Sequence, residues 1–204
     1  TNGIDLSGEG GLVWIKVRSD TVNNALFDSA RGVTCMLRSD ATNAQYCDSV
    51  QVSSFNSNGF TVGSDLTTNA SGEDMVSWTF RKAKKFFDVV TYTGTGSGGL
   101  SVSHNLGSAP GMIIVKNASR STDWMVLHRN DGSSYKNLHL NTTNADIGYL
   151  PDYWGNGTSF YQPTSTDFQV GTGSNVNFSG DTYVAYLFAH NNNDGGFGEP
   201  GDQD

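Results

Sequence analysis

The sequence predicts an all-β protein that is built as two tandem β-sandwich or jelly-roll units related by an internal duplication. Segments of the first 85 residues recur 100 to 108 positions later. Apolar and polar residues alternate in short runs, and Asn-Gly and Ser-Gly pairs separate these runs. Many short strands at regular spacing are typical of a sandwich or jelly roll.

The repeat consists of three matched segments. It predicts that Trp78 and Tyr186 have equivalent environments, and that the second copy gained about eight residues in a loop. The matches are Leu12–Lys16 with Met112–Lys116 at an offset of 100, and Gly59–Gly63 with Asp167–Gly171 and Asn69–Phe80 with Asn177–Phe188 at an offset of 108.

The second copy is predicted to contain eight strands, whereas the first lacks an obvious match to the strand at Val89–Thr93. The first strand of copy one is either Gly3–Leu6 or a segment upstream of Thr1, and an incomplete copy must find a partner for its exposed edge. Ala25–Arg31 forms at most one helical turn. The eight strands lie near Val89–Thr93, Leu100–His104, Met112–Lys116, Trp124–His128, Leu138–Leu140, Ser159–Tyr161, Phe168–Gly171 and Tyr183–Ala189.

These elements divide the chain into three parts. Residues 1–85 form the first unit, residues 86–190 the second, and residues 191–204 a polar, Gly-rich linker or tail. The basic run Arg81–Lys85 lies at the join, and we interpret it as a solvated linker rather than a nucleic-acid patch.

Charge and composition narrow the classes of partner. The formal net charge is −8 and the sequence pI is about 4.7, which disfavours binding to phosphate backbones. No apolar run reaches the roughly 20 residues that span a membrane. Cys35 and Cys47 do not make a disulfide scaffold, and both a single pair and reduced core thiols remain open. A chain that starts at Thr1 is expected to be a segment or a processed product.

Four phrases of the sequence stand out, namely Phe86–Gly94, Ser103–Lys116, the closing Gly180–His190, and Gly195–Gly198. These phrases resemble a repeat found in large virion proteins of marine tailed bacteriophages, and the last of them is similar to the lead into a further copy. The resemblance implies a concanavalin-like β-sandwich in a tail-fibre or other appendage protein, made in the bacterial cytoplasm, and no catalytic residues. Copy one departs from the repeat at Asp5–Gly10.

Motifs of enzymes are weak in this chain, and we expect a protein that is not an enzyme and has no cofactor. Gly94–Gly99 fits a dinucleotide-binding pattern, but an alternating strand follows it instead of a helix, so we predict a hairpin loop. No G-x-S-x-G nucleophile elbow stands at a strand-to-helix turn. Asp152 and Asp167 are the one carboxylate pair worth testing for glycosidase action.

The loop that lengthened in copy two carries the predicted binding site. Flat aromatic rings with neighbouring Asp, Asn or Gln side chains are typical of glycan recognition, and the alternative is that Trp154 and Tyr161 fill the sandwich core. The predicted site residues are Tyr149, Asp152, Tyr153, Trp154, Asn156 and Tyr161, with Gln162 nearby.

Metal sites are weaker candidates. Asn191–Asp194 and Asp202 offer oxygen ligands for Ca²⁺, although a solvated linker is favoured there. Among four histidines, His128 and His139 alone are expected to approach each other, and structural roles are favoured for both.

Five Asn-x-Ser/Thr sequons occur by chance in a chain so rich in these residues. Asn69 and Asn177 occupy matching turns and are predicted to bond the backbone.

The sequence therefore predicts a structural or adhesive module of a virion protein that contacts other virion proteins and forms a homo-oligomer. A glycan-binding module for host attachment is the alternative, and a polysaccharide-degrading enzyme is a more remote one.

Overall fold

The structure is a computed structural model that describes residues 2–130, 134–146 and 148–190, and it confirms the predicted all-β class. Strands dominate, and the helices are single turns. The first half, residues 2–85, contains β1 (Gly11–Val17), β2 (Ala25–Asp28), β3 (Gly32–Leu37), β4 (Tyr46–Cys47), β5 (Val52–Asn56), β6 (Gly59–Val62), α1 (Leu66–Asn69) and β7 (Met75–Arg81).

The second half, residues 86–190, repeats much of this order with two extra strands at its start. It contains β8 (Phe87–Thr93), β9 (Leu100–Ser103), β10 (Pro110–Asn117), β11 (Met125–Arg129), β12 (Tyr135–His139), a 3₁₀ turn (Leu150–Asp152), β13 (Asp167–Val170), α2 (Ser174–Asn177) and β14 (Thr182–Ala189).

The strands form two five-stranded antiparallel sheets and two small ones. The first large sheet has the order β4-β3-β2-β1-β7, and the second has the order β12-β11-β10-β14-β8. The small sheets are β5 with β6 and β13 with β9. Continuous apolar runs in β1 and β10 match their central positions, because a central strand covered on both faces must be apolar on both.

Three apolar clusters show how these sheets are layered. One cluster lies between the first large sheet and the β5–β6 pair and contains Phe27 and Val52. Another lies between the second large sheet and the β9–β13 pair and contains Phe168. The third joins side chains of both large sheets, including Leu26 and Tyr186. The two large sheets therefore pack against each other, and each small sheet covers one outer face.

Asn69 and Asn177 confirm the prediction that they bond the backbone at matching turns. The Asn69 side-chain amide donates to the Gly63 carbonyl at 2.7 Å, and that of Asn177 donates to the Gly171 carbonyl at 2.6 Å. In each case the Asn ends the single-turn helix before the last strand of its half.

Two lysines also occupy matched positions. Lys16 Nζ donates to the Val22 carbonyl at 2.6 Å, and Lys116 Nζ donates to the carbonyls of Asn117 at 2.6 Å and Arg120 at 3.2 Å. Each ammonium group thus satisfies carbonyls of the loop that follows its own strand.

The expectation that Trp78 and Tyr186 share one environment holds for register but not for exposure. Trp78 lies opposite Trp14 on β1, and Tyr186 lies opposite Ile114 on β10. Trp78 is 48% exposed, whereas Tyr186 is 1% exposed. The difference arises because β8 pairs with the outer edge of β14, whereas β7 ends its sheet.

Several predicted elements were wrong. Ala25–Arg31 begins with strand β2 instead of a helical turn, because these residues pair between β1 and β3. Gly3–Leu6 is not a strand, and Ser159–Tyr161 contributes only an isolated bridge between Gly155 and Phe160. The strand expected at Leu138–Leu140 is β12, which begins earlier, at Tyr135.

Cys35 and Cys47 form a disulfide, so the alternative of reduced core thiols was wrong. They are directly opposite each other in the β3–β4 pair. Cys47 is exposed and Cys35 is partly exposed, which places the bond at the rim of the sheet.

The basic run between the halves is a tight turn, in which Lys84 and Lys85 are exposed and Arg81 and Lys82 are partly buried. Lys82 pairs with Asp88 at 2.9 Å, and Arg81 pairs with Glu9 at 3.3 Å. The Lys85 amide donates to the Leu106 carbonyl at 2.6 Å. Within the described part of the chain, no helix has the length and apolarity to cross a membrane.

Candidate functional site

The aromatic loop of the second half is fastened to the segment that follows β13. The Tyr153 amide donates to the Leu150 carbonyl at 3.0 Å, which closes the 3₁₀ turn, and the Trp154 amide donates to the same carbonyl at 2.7 Å. The Gly171 and Gly173 amides donate to the carbonyls of Tyr153 and Asp152 at 3.0 and 2.7 Å. Backbone hydrogen bonds therefore hold the loop in place, and its conformation does not depend on these side chains pointing in one common direction.

Trp154 lies in the core and is fully buried. Its indole Nε1 donates to Asn137 Oδ1 at 3.0 Å, and its ring packs near Phe168. A buried ring with its one polar atom satisfied is not accessible to a sugar, so Trp154 was wrongly placed in the predicted site and takes the core role that was the alternative.

Tyr161 is partly buried, and its hydroxyl group is bonded to Asp167. Its hydroxyl donates to both carboxylate oxygens of Asp167, at 3.0 and 3.2 Å. Asp167 also accepts from the hydroxyls of Ser101, at 2.7 Å, and Thr164. The Thr164 hydroxyl is the largest cause that lowers the pKa of Asp167.

This lowered pKa argues against Asp167 as the acid of a glycosidase pair with Asp152. A general acid needs a carboxyl group whose pKa is raised by its surroundings. Four hydroxyl contacts do the opposite, because they favour the ionised form. Asp152 itself is half-buried at the end of the 3₁₀ turn.

Of the predicted site residues, Tyr149 offers the most accessible ring. It is 56% exposed, and its hydroxyl lies 3.5 Å from the carbonyls of Gly157 and Thr158. Asn156 shapes that turn, since its Oδ1 accepts from the Ser159 amide at 2.8 Å. Tyr153 is half-buried and packs against the core. The structure therefore brings Tyr149 to the Asn156 turn and sends Trp154 to the interior.

His128 and His139, the two histidines expected to approach each other, lie apart. His128 lies opposite Lys136 and His139 lies opposite Met125, so they stand at different ends of the β11–β12 pair, about 10 Å apart along the strands. His104 is buried against Phe168, and burial lowers its pKa. Among residues 2–130, 134–146 and 148–190, no group of three His, Cys, Asp or Glu residues is arranged to hold a metal. The predicted calcium ligands Asn191–Asp194 and Asp202 lie outside the described residues.

The glycine-rich segment Gly94–Gly99 is a loop between β8 and β9, but the predicted hairpin was wrong, because β8 pairs with β14 and β9 pairs with β13 in a different sheet. A Cβ atom at Gly94 would lie 2.3 Å from the Phe178 carbonyl oxygen, and one at Gly98 would lie 2.3 Å from that of Asn156. Close backbone approach therefore accounts for these glycines without a phosphate ligand.

A buried charged cluster joins the two large sheets, and the sequence analysis missed it. Asp28 is fully buried on β2 and accepts from Arg31 Nε at 2.7 Å and from the Tyr186 hydroxyl at 2.7 Å. Arg31 also donates to Gln45 Oε1 and to the Leu26 carbonyl, each at 3.3 Å. Burial is the main cause of the raised pKa of Tyr186.

An exposed aromatic cleft was also missed. Trp14, Trp78 and Phe80 line an apolar cleft of about 280 Å³ at the β7 edge. The two indole rings meet edge to face at 6.2 Å, and Trp14 Nε1 donates to Asn24 Oδ1 at 3.3 Å. The alternation of Val76, Trp78 and Phe80 in the sequence was a signal for it, but alternation alone predicts a strand and does not show whether its apolar face is covered.

Comparisons with known proteins give one family assignment. No curated protein and no solved structure matches the chain significantly. A family model described as a domain of unknown function (DUF7483) matches residues 3–199, which is nearly the whole chain. The chain therefore belongs to the DUF7483 domain family.

Proposed function

We propose that the chain consists of two tandem β-sandwich units from an internal duplication, and that it is a non-enzymatic structural or adhesive module of a bacteriophage virion protein. The units are residues 1–85 and 86–190. Matched contacts support the duplication. The Asp74 amide donates to Ser19 Oγ at 2.8 Å, and at the sequence-matched positions the Thr182 amide donates to Ser119 Oγ at 2.9 Å.

The observation that carries the structural role is the apolar core that the two large sheets share. It includes Leu12 and Leu37 of the first half with Ile114 and Val126 of the second. A large apolar interface fixes two units against each other, whereas a small polar one leaves them free to move. A unit pair that is rigid in this way suits a spacer or decoration in a particle.

The buried charged groups support the same role. Asp28, Asp88 and Asp181 are each buried and each bonded to a cation of this chain. The first two ion pairs join a strand to a loop, and the third joins two loops. Buried carboxylates paired in this way are typical of structural polar networks. The virion assignment itself is supported by the sequence resemblance of residues 86–94, 103–116 and 180–190.

The test is electron microscopy of intact particles labelled with gold-conjugated antibody against this chain. Gold at one repeated position on a tail, fibre or head supports the proposal. Particles without gold, prepared from cultures in which the same antibody detects the chain in cell lysate, would show that it is no part of the particle.

Glycan binding is a second candidate, which the exposed Tyr149 ring beside a polar turn favours. An array of bacterial surface glycans tests it with Tyr149→Ala. Tyr46→Ala is the matched control, because Tyr46 is also 56% exposed but lies on β4 of the other half. Binding that Tyr149→Ala abolishes and Tyr46→Ala preserves supports this candidate, and no binding by the unaltered chain contradicts it.

A further inference from the structure

The outer edge of β7 is an unprotected strand edge. β7 pairs with β1 through seven positions without a shift in register, and it has no second neighbour among the described strands. Edge strands are usually protected by charges, prolines or bulges. Residues 75–80 of β7, with the sequence MVSWTF, carry no charge and no proline.

The same chain shows what covers the matched edge in its second half. β8 pairs antiparallel with β14 from Thr182↔Thr93 to Phe188↔Phe87. Val89 lies opposite Tyr186, and Tyr92 lies opposite Tyr183. Since β14 is the sequence match of β7, the β8 position is the one that stands vacant beside β7 among the described residues.

A cavity beside β7 is lined by residues that match, in sequence, the partners of Tyr92 in the second half. Tyr92 stacks on Tyr183 at 5.1 Å, meets Phe168 at 6.3 Å, and donates to the Val176 carbonyl at 2.7 Å. The residues that match these three partners, at an offset of 108, are Met75, Phe60 and Thr68.

Met75, Phe60 and Thr68 all line one cavity of about 150 Å³ in the first half. An apolar cavity of about that volume holds a benzene ring. The space is therefore large enough for the ring of a tyrosine or phenylalanine that enters from the β7 edge, and Thr68 and Ser77 make its lining partly polar.

The opposite face of β7 carries the second cleft. Trp78 and Phe80 line it with Trp14, and their matches Tyr186 and Phe188 lie opposite Val89 and Phe87 of β8. Side chains alternate between the faces of a strand. One added strand would thus place an aromatic ring in the cavity of Met75 and aliphatic or aromatic side chains in the cleft of Trp78.

We infer that the β7 edge accepts an antiparallel β-strand from a polypeptide that is not a second copy of this chain, with the side-chain spacing Phe-x-Val-x-x-Tyr that β8 shows. The inference rests on the proposed duplication, because the match between β7 and β14 defines the spacing. Main-chain hydrogen bonds supply affinity in such strand addition, and pockets for alternate side chains supply specificity.

The experiment uses the full chain and a synthetic peptide with the sequence of residues 86–94, preceded by two lysines for solubility. The control peptide exchanges Thr91 and Tyr92, so that its composition is unchanged but its tyrosine points to the other face. Isothermal titration measures binding, and hydrogen exchange locates it. A third arm repeats the titration with Trp78→Lys, and with Tyr46→Lys as a matched surface control.

We expect the unaltered peptide to bind and to protect amides of β7, and the exchanged peptide to bind at least about tenfold more weakly. Trp78→Lys should weaken binding by a similar factor, and Tyr46→Lys should not. Equal binding of both peptides, no binding, or protection only at β14 after displacement of β8 would each overturn the inference.

Self-association is the remaining outcome. A dimer in sedimentation experiments that Trp78→Lys dissociates and that excludes the peptide would show that a second copy occupies the edge instead, which also overturns the inference. None of these results alters where gold-labelled antibody binds on a particle, so the failure of either proposal is recognised separately.

Discussion

Tyr186→Phe tests one of the hydrogen bonds that join the two halves, the buried one from Tyr186 to Asp28. The substitution removes only the hydroxyl group, which donates to Asp28 Oδ2 at 2.7 Å, and it keeps the ring that stacks near Trp124. Hydrogen bonds to charged groups contribute about 1.5–3 kcal/mol. Asp28 keeps its bonds from Arg31 and from the Ala30 amide, so its carboxylate is not left unpaired. We therefore expect a loss of about 1.5–2 kcal/mol.

Tyr92→Phe is the matched control for this measurement. It removes a hydroxyl group that donates at 2.7 Å to the neutral carbonyl of Val176 within the second half. A neutral hydrogen bond contributes about 0.5–1.5 kcal/mol. Urea unfolding, followed by both tryptophan fluorescence and circular dichroism, gives the free energy of unfolding if the two probes coincide. A Tyr186→Phe protein that loses no more stability than Tyr92→Phe would refute the reasoning that the buried charged bond stabilises the junction.

Three further predictions concern single groups. Burial lowers the pKa of Lys116 to about 8, so above that pH the unfolded chain binds more protons than the folded one. The free energy of unfolding should therefore rise by about 2–3 kcal/mol between about pH 8 and 10.4. The urea midpoints of Lys116→Met should lack this rise. Reduction of the disulfide between Cys35 and Cys47, which are 12 residues apart, should lower the free energy of unfolding by about 3 kcal/mol. Thermal unfolding measures this as a lower Tm, and an unchanged Tm would contradict it. Asn177→Ala should lower the free energy of unfolding by about 2–4 kcal/mol, and Asn69→Ala by about 1 kcal/mol. The reason is that buried Asn177 bonds two carbonyls, whereas exposed Asn69 bonds one. Equal losses would disprove that ranking.

The strands were predictable where alternation is strong and tertiary context agrees with it. β8, β9, β10 and β14 lie within one or two residues of their predicted positions, since their apolar faces are continuous with the core. Ala25–Asp28 was predicted wrongly because its short apolar run fits a helix or a strand equally well. Its pairing with β1 and β3, which lie on either side of it, determines its structure.

The candidate site was less predictable because composition does not give direction. Trp154, Tyr149 and Tyr161 are close in sequence, yet one is buried, one is largely exposed, and one is tied to Asp167. The carbonyl of Tyr153, the residue before Trp154, accepts from the Gly171 amide. In the first half Gly63 matches Gly171, and its amide donates in the same way to the carbonyl of Gln51, the residue before Val52. Trp154 thus takes the place of buried Val52, which only the hydrogen-bond register reveals.

The packing of the halves also follows from the connection between them. β7 ends at Arg81 and β8 begins at Phe87, so five residues carry the chain from one large sheet to the other. A tight turn, closed by the bridge between Ala83 and Phe87, cannot let the sheets separate widely. Phe80 and Phe87 on either side of that turn meet at 5.7 Å, and both belong to the shared core.

Such a short connection has a consequence for the β7 edge. β8 leaves the turn to pair with β14, so the strand that follows β7 in sequence is committed to the other sheet and cannot cover β7 itself. Neither β5 nor β6 is hydrogen-bonded to β7, since these two strands form a separate two-stranded sheet. The arrangement that fixes the halves together is therefore the same one that leaves Trp78 exposed, and any strand that covers it must come from outside the described chain.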